Sequence, residues 1–282
     1  MIVALVLLSA FLHAAWNALL RVEPDKDRSL VAAIAVASLF AGIIAGVRWA
    51  AGAVPFATNE ALAWTLVAGV AEALYFMTLA KALELGRLGA VYTVSRGGAV
   101  LVVWPLSIAL YGEVASVEAI SGSVLVCLGL ALSGIGGTHG GTKRHKVGVA
   151  WASVCAVSIA SYHLAYKAAL NAGGNPSATF AVSLGLSAVI GITRIGTTGR
   201  RTLVDVARSR TFRVCLMGVI CGGSFLILME ALARGGSGYV LTLRNTSVLF
   251  AAILAWTIGE KPRRVEIIGA VFVAAGAVLM SL

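Results

Sequence analysis

Glu72, Arg96 and Arg244 stand inside long apolar stretches, where an ionisable group costs several kcal/mol unless it is paired or faces a cavity. Glu72 lies about halfway along its stretch, with Tyr75 and Phe76 one turn on along the same helical face. A carboxyl held in hydrocarbon suits binding and release of a proton, which makes Glu72 the candidate for proton coupling. The plainer reading is a structural carboxyl hydrogen-bonded to a neighbouring helix. Arg96 and Arg244 each sit six or seven residues into their stretch, about 10 Å deep at helical rise. Arginine keeps its charge and presents a planar fork of donors that matches carboxylate or phosphate. The two are candidates for holding an anion, with Tyr92 one turn before Arg96 and Asn245 adjoining Arg244. Against this stand snorkelling of the guanidinium to the interface and an internal ion pair with Glu72 or Glu230.

His13, Trp16 and Asn17 share one face of the first apolar stretch, and Tyr162, His163 and Tyr166 cluster in the sixth. Aromatic walls with a few polar groups suit a small-molecule cavity; a lone helical histidine also packs well as a hydrogen-bonded core residue. Other chemistries lack their residues. Cys127, Cys155, Cys215 and Cys221 lie in apolar stretches without metal-ligand spacing, and no HExxH or nucleophile–base motif occurs. The expectation is therefore no enzyme, no cofactor and no metal. The run GGTHGGTKRHK at 136–146 superficially suggests a phosphate loop, but GxxxxG is followed by Thr-Lys in place of Lys-Thr and no strand precedes it. It reads as a linker.

The elements that position these residues are apolar helices. Of 282 residues, 59% are hydrophobic and 12% charged, with mean hydropathy +0.94. A soluble domain carries about 25% charged residues. Stretches of about 20 apolar residues, each enough to span the hydrocarbon as a helix, recur at about 2–20, 29–50, 61–83, 89–111, 116–135, 147–168, 176–195, 213–234, 238–258 and 264–281. The chain is expected to be an all-α membrane protein of ten transmembrane helices. Gly42 and Gly46 in the second have the small-residue spacing of a close helix contact. Residues 196–212, with four arginines beside Leu203, Val204 and Val206, read as a short amphipathic piece on an anionic membrane surface.

The ten helices form two related halves, 1–135 and 147–282, around the 136–146 linker. Ala82, Leu83, Gly89, Val91 and Thr93 recur 149 residues later as Ala231, Leu232, Gly238, Val240 and Thr242. Gly112, Glu113, Ile120, Gly122 and Gly129 recur 147 residues later as Gly259, Glu260, Ile267, Gly269 and Gly276. An offset of 146 sets Asn17 on His163 and Arg21 on Lys167. Repeats of five helices, an odd number, cross the membrane in opposite senses, the inverted architecture of many alternating-access carriers with a site at mid-membrane. Arg96 and Arg244 then approach mid-membrane from opposite sides. Glu113 and Glu260 read as structural, beside the N-terminus of the following helix.

Most of the 22 lysines and arginines fall in hairpins 1–2, 3–4, 5–6, 7–8 and 9–10, with Arg48, Lys167 and Arg234 on the other side. The net charge of +10 is thus a topology signal that does not point to nucleic acid. By the positive-inside rule both termini lie outside. The first stretch lacks a basic n-region and is expected to remain as a helix.

The AL-x-x-G segments, the Gly-Glu pairs, the glycine-rich closing helices and the opening LHAAWNALLR (12–21) resemble the EamA-type repeats of the drug/metabolite transporter (DMT) superfamily, over essentially the whole chain. The resemblance implies a ten-helix transporter, whose members move amino acids, sugars, nucleotide precursors, drugs and other metabolites. It also implies termini inside, opposite to the charge distribution. Together the readings describe a secondary active transporter in the cytoplasmic membrane, monomer or homodimer, taking a small anionic or zwitterionic metabolite. A cationic-drug exporter, a lipid flippase or a non-transporting scaffold of the same fold are the alternatives.

Overall fold

In lipid every backbone amide must find its partner within the protein, so an apolar chain of this kind folds as helices. The computed structural model describes residues 2–112, 116–138, 143–259 and 263–279. It comprises α1 (Ile2–Arg21), α2 (Lys26–Ala50), α3 (Asn59–Leu85), α4 (Leu88–Tyr111), α5 (Val117–Thr138), α6 (Lys143–Asn171), α7 (Pro176–Arg194), α8 (Gly196–Ser209), α9 (Thr211–Arg234), α10 (Ser237–Arg244), α11 (Ser247–Thr257) and α12 (Arg264–Leu279). Among the described residues eight spans are long and apolar enough to cross a membrane, α10 and the consecutive α11 supplying one of them. The apolar helices α5 and α12 take the fifth and tenth places, completing an all-α membrane fold of two inverted five-helix repeats.

Local chemistry sets the helix starts. Asp25, Thr58 and Asn175 accept bonds from the backbone amides of Arg28, Ala61 and Ser177 at 3.0–3.1 Å, which satisfies otherwise orphaned first-turn donors. Gly112 and Gly259, equivalent in the two repeats, follow α4 and α11 with φ of +67° and +85°, which accounts for the glycine of each Gly-Glu pair. Glu113 and Glu260 lie outside the described residues.

The duplication is visible bond by bond. Ser9 Oγ donates to the Ser224 carbonyl at 2.7 Å, and its counterpart Cys155 points its thiol at the Tyr75 carbonyl, 4.0 Å away. The first helix of each repeat thus packs on the third helix of the other. At one end of the bundle Arg21 caps the Leu83 carbonyl at 2.9 Å; at the opposite end Lys167 caps Leu232 at 3.2 Å. The closing helices α5 and α12 cross through glycine. A Cβ on Gly129 would lie 2.6 Å from the Gly269 carbonyl oxygen, and one on Gly276 would lie 2.5 Å from that of Gly122.

Several expectations shift. Helix α5 runs to Thr138 and α6 starts at Lys143, so 136–138 and 143–146 of the expected 136–146 linker are helical, and 139–142 lie outside the described residues. Gly42 and Gly46 have nothing within 4 Å of a built Cβ and make no close contact within the chain. Residues 196–209 are helical as α8, but Leu203 and Ala207 pack on the protein core, leaving Val204 outward. The ninth span is tightened at Asn245–Thr246: Asn245 N is shared between Leu241 O and Thr242 O, and Thr246 N and Val248 N bond three residues back, to Leu243 O and Asn245 O.

Hairpins rich in Lys and Arg gather at one end. There Glu23, buried, meets Arg210 at 3.0 Å and Arg213 at 3.2 Å, Asp27 pairs with Arg194, and Glu266 pairs with Arg87 at 3.2 Å. At the other end the 2–3 and 6–7 loops are tied by backbone. Ala57 N donates to Gly173 O at 3.1 Å and Asn175 N to Pro55 O at 2.9 Å, while Thr58 Oγ1 reaches Ala172 O at 2.7 Å.

Candidate functional site

Helix α4 carries Arg96 in from one end, α10 carries Arg244 in from the other, and α1 places His13 between them. All three are buried. Arg96 Nη2 meets His13 Nε2 and lies 3.4 Å from Tyr75 Oη. Arg244 Nη2 meets His13 Nδ1 at 2.8 Å and Ser224 Oγ at 3.3 Å. Tyr75 and Ser224 are equivalent in the two repeats, 149 residues apart, so each arginine leans on the same position of its own repeat's third helix. Aromatic faces support both cations within the range of cation–π attraction. The Arg96 Cζ lies 5.8 Å from the Tyr75 ring centre and 5.7 Å from that of Tyr92, and the Arg244 Cζ lies 4.5 Å from that of Phe225.

Neither arginine takes the alternatives left open by the sequence. Both are buried, so they do not snorkel. Among the described residues neither is ion-paired: Glu230 pairs with Arg48 and Arg234, and Glu72 accepts from Ser183 Oγ at 2.9 Å. Arg244 Nε and Nη1 and both ends of the Asn245 amide have no hydrogen-bond partner. The result is a buried, donor-rich chamber with two fixed positive charges, the surroundings that favour an anion.

The other expected residues divide. Trp16 Nε1 reaches His13 Nδ1 at 3.3 Å and belongs to the chamber. Asn17 turns its amide back to the His13 carbonyl at 2.7 Å and serves its own helix. His163 is buried but adds no bond to this set. The Tyr162 ring packs at a tilt 5.3 Å from that of Tyr75 and edge-on 5.6 Å from that of Tyr166, and Tyr166 Oη lies 2.8 Å from Ser183 Oγ. Glu72 is therefore separate from the arginines, at the far end of a tyrosine row that starts in the chamber.

The family model described as the EamA-like transporter family matches residues 146–282, the second repeat, and the duplication described above carries the likeness into the first. Residues 146–282 thus match the EamA-like transporter family. The chain is a multi-pass membrane protein similar to the DMT superfamily, whose members are transporters. A solved crystal structure of another protein matches with TM-score 0.67, covering 99% of this chain and 94% of its own at 17% identity, which shows the shared fold alone. No curated protein matches.

The protein also has a cavity of about 800 Å³ at its basic end, lined by Lys26, Asp27, Lys81, Glu84, Arg144 and Arg194. Thr78, one turn beyond Tyr75, lines it too. The chamber itself is sealed. Three residues escaped the sequence reading: Ser224 and Phe225 in the chamber, and Ser183 beside Glu72. The duplication could have found the first two, since they stand 149 residues after Tyr75 and Phe76. Nothing in the sequence singles out Ser183 among the serines of α7.

Proposed function

We propose that this protein is a secondary active transporter of the cytoplasmic membrane that moves a small anionic or zwitterionic metabolite by alternating access, binding its carboxylate, phosphonate or phosphate at Arg96 and Arg244. The convergence of two buried, carboxylate-free arginines from opposite repeats carries this reading. Two such charges repel a cation, and the buried carboxyl nearest them in the helix interior, Glu72, lies apart with Ser183. Glu72 is the proton-coupling group, since its protonation alters charge inside the bundle without touching the substrate. The aromatic wall of Tyr75, Tyr92, Trp16, Tyr162 and Tyr166 shapes the remainder of the site. Lys/Arg placement puts the basic end, with its cavity, on the cytoplasmic side and both termini outside.

The test is uptake into proteoliposomes of labelled carboxylates, phosphonates and phosphates, with and without a pH gradient. Uptake driven by the gradient is expected. Tight binding of a quaternary ammonium compound, unaffected by Arg96→Gln or Arg244→Gln, would overturn the reading in favour of a cation exporter. Orientation has its own test: alkaline phosphatase fused after Leu282 is expected to be active, and a silent fusion places the termini inside.

A further inference from the structure

The imidazole of His13 occupies the place an anion would take, and it is a poor substitute for one. Its Nε2 meets Arg96 Nη2 and lies 3.3 Å from Tyr75 Oη. Its Nδ1 meets Arg244 Nη2 at 2.8 Å and Trp16 Nε1 at 3.3 Å. Guanidinium and indole N–H groups only donate. A neutral imidazole has one lone pair and one N–H, and a protonated one has no lone pair. At least one arginine therefore faces an N–H and gains no bond. Arg244 Nε and Nη1 and the Asn245 amide, close by in sequence and buried, are left unsatisfied as well. A carboxylate or a phosphate-type oxyanion carries lone pairs enough for both forks.

The repeat relation isolates the same residue. Tyr75 and Ser224 are equivalent, Phe76 and Phe225 are equivalent, and Trp16 corresponds to Tyr162. His13 corresponds to Ile159, a buried residue with no polar group. The chamber is built from both repeats, and the imidazole that fills it comes from one.

We infer that His13 is a resident stand-in for the anionic group of the substrate: it occupies the space between the two guanidiniums, accepting from one of them at most, and is displaced when the substrate's acidic group enters. This rests on reading Arg96 and Arg244 as the anion site and adds a function to it. Displacing the imidazole lowers the apparent affinity of every ligand by the same factor. An anion recovers that loss from two charge-assisted bonds, whereas a neutral analogue of equal shape does not. His13 is thereby a specificity-determining residue that discriminates by charge, and its departure also breaks the Trp16 bond.

The experiment uses the full-length protein in detergent, with inorganic phosphate and sulfate as probes and melting temperature and tryptophan emission as readouts. Removing the stand-in exposes both forks, so His13→Ala is expected to half-saturate at about tenfold lower phosphate than the wild type. In the wild type phosphate is expected to change tryptophan emission, and that change is expected to be absent in Trp16→Phe. The emission test stands even if His13→Ala does not fold. Equal or weaker phosphate binding by a folded His13→Ala overturns the inference and makes His13 a co-ligand. So does a phosphate-induced melting shift in the wild type with no change in Trp16 emission. In both cases the anion site survives as long as Arg96→Gln and Arg244→Gln abolish the response. Absence of any response to phosphate or sulfate in wild type and His13→Ala alike overturns the inference and the anion site together.

Discussion

The two repeats share a scaffold and differ in their chemistry. Gly129 meets the backbone at Gly269 as Gly276 meets it at Gly122, and Arg21 caps α3 as Lys167 caps α9. The polar interior is unequal. Glu72 stands opposite Cys221, Tyr75 opposite Ser224 and His13 opposite Ile159. Arg244 is one residue out of register with Arg96, whose place 149 residues on is taken by Asn245. Positions where backbone meets backbone stayed matched because a side chain has no room there. Positions lining the chamber differ between the repeats, as a binding site for a molecule without two-fold symmetry would require.

The largest effect expected is at the matched glycines. Gly129→Leu and Gly276→Leu drive a side chain into main-chain atoms that cannot retreat, a strain at or beyond the usual overpacking cost of about 1–3 kcal/mol. Both should remove most folded protein from a detergent-extracted, size-excluded sample. Survival of one but not the other would show that the crossing is less symmetric than its geometry.

Next come the unmatched positions. Glu72→Gln should abolish gradient-driven accumulation while leaving counter-exchange of substrate, because exchange needs alternation but no net proton release. Cys221→Ala at the equivalent site should leave both intact. Undiminished accumulation by Glu72→Gln would transfer coupling to another group and remove this contrast between the halves.

The arginines should behave alike despite their unequal neighbours. A charge-assisted bond contributes about 1.5–3 kcal/mol, so Arg96→Gln and Arg244→Gln should each raise the apparent KM roughly 10- to 100-fold with insertion unchanged. A loss confined to one of them would assign the anion to a single repeat. The smallest effect is a control: Gly42→Val, with nothing within 4 Å, should shift stability by less than about 0.5 kcal/mol in thermal melts.

Much of this was legible in the sequence, for reasons that also mark its limits. Hydropathy and the 147–149 residue offsets disclosed the helices, their inversion and the depth of Arg96 and Arg244, so their approach from opposite sides followed from counting. Depth along a helix is readable from rise per residue; the neighbour across the gap is not. Hence Glu72, on one face with Tyr75 by spacing, turns to Ser183 while Tyr75 turns to His13 and Arg96. The same blindness to neighbours sent the apolar side of α8 towards lipid, when Leu203 had a protein surface to cover. The tightened turn after Arg244 was hidden because Asn245 and Thr246 do not interrupt the apolar pattern as proline would.

The backbone ties between the 2–3 and 6–7 loops have a use beyond holding that end shut. The amides of Ala57 and Asn175 are sheltered by main-chain acceptors in the partner loop, so they can trade hydrogen for deuterium only when the loops part. Their exchange rates therefore act as a clock for opening at that end, on a timescale that mass spectrometry can read. If the protein alternates between two faces as proposed, a substrate that binds them unequally shifts the balance between them, and the same two peptides can screen candidate metabolites without a transport assay. A compound that changes the pace of exchange there has been recognised, whether or not anyone has yet seen it cross.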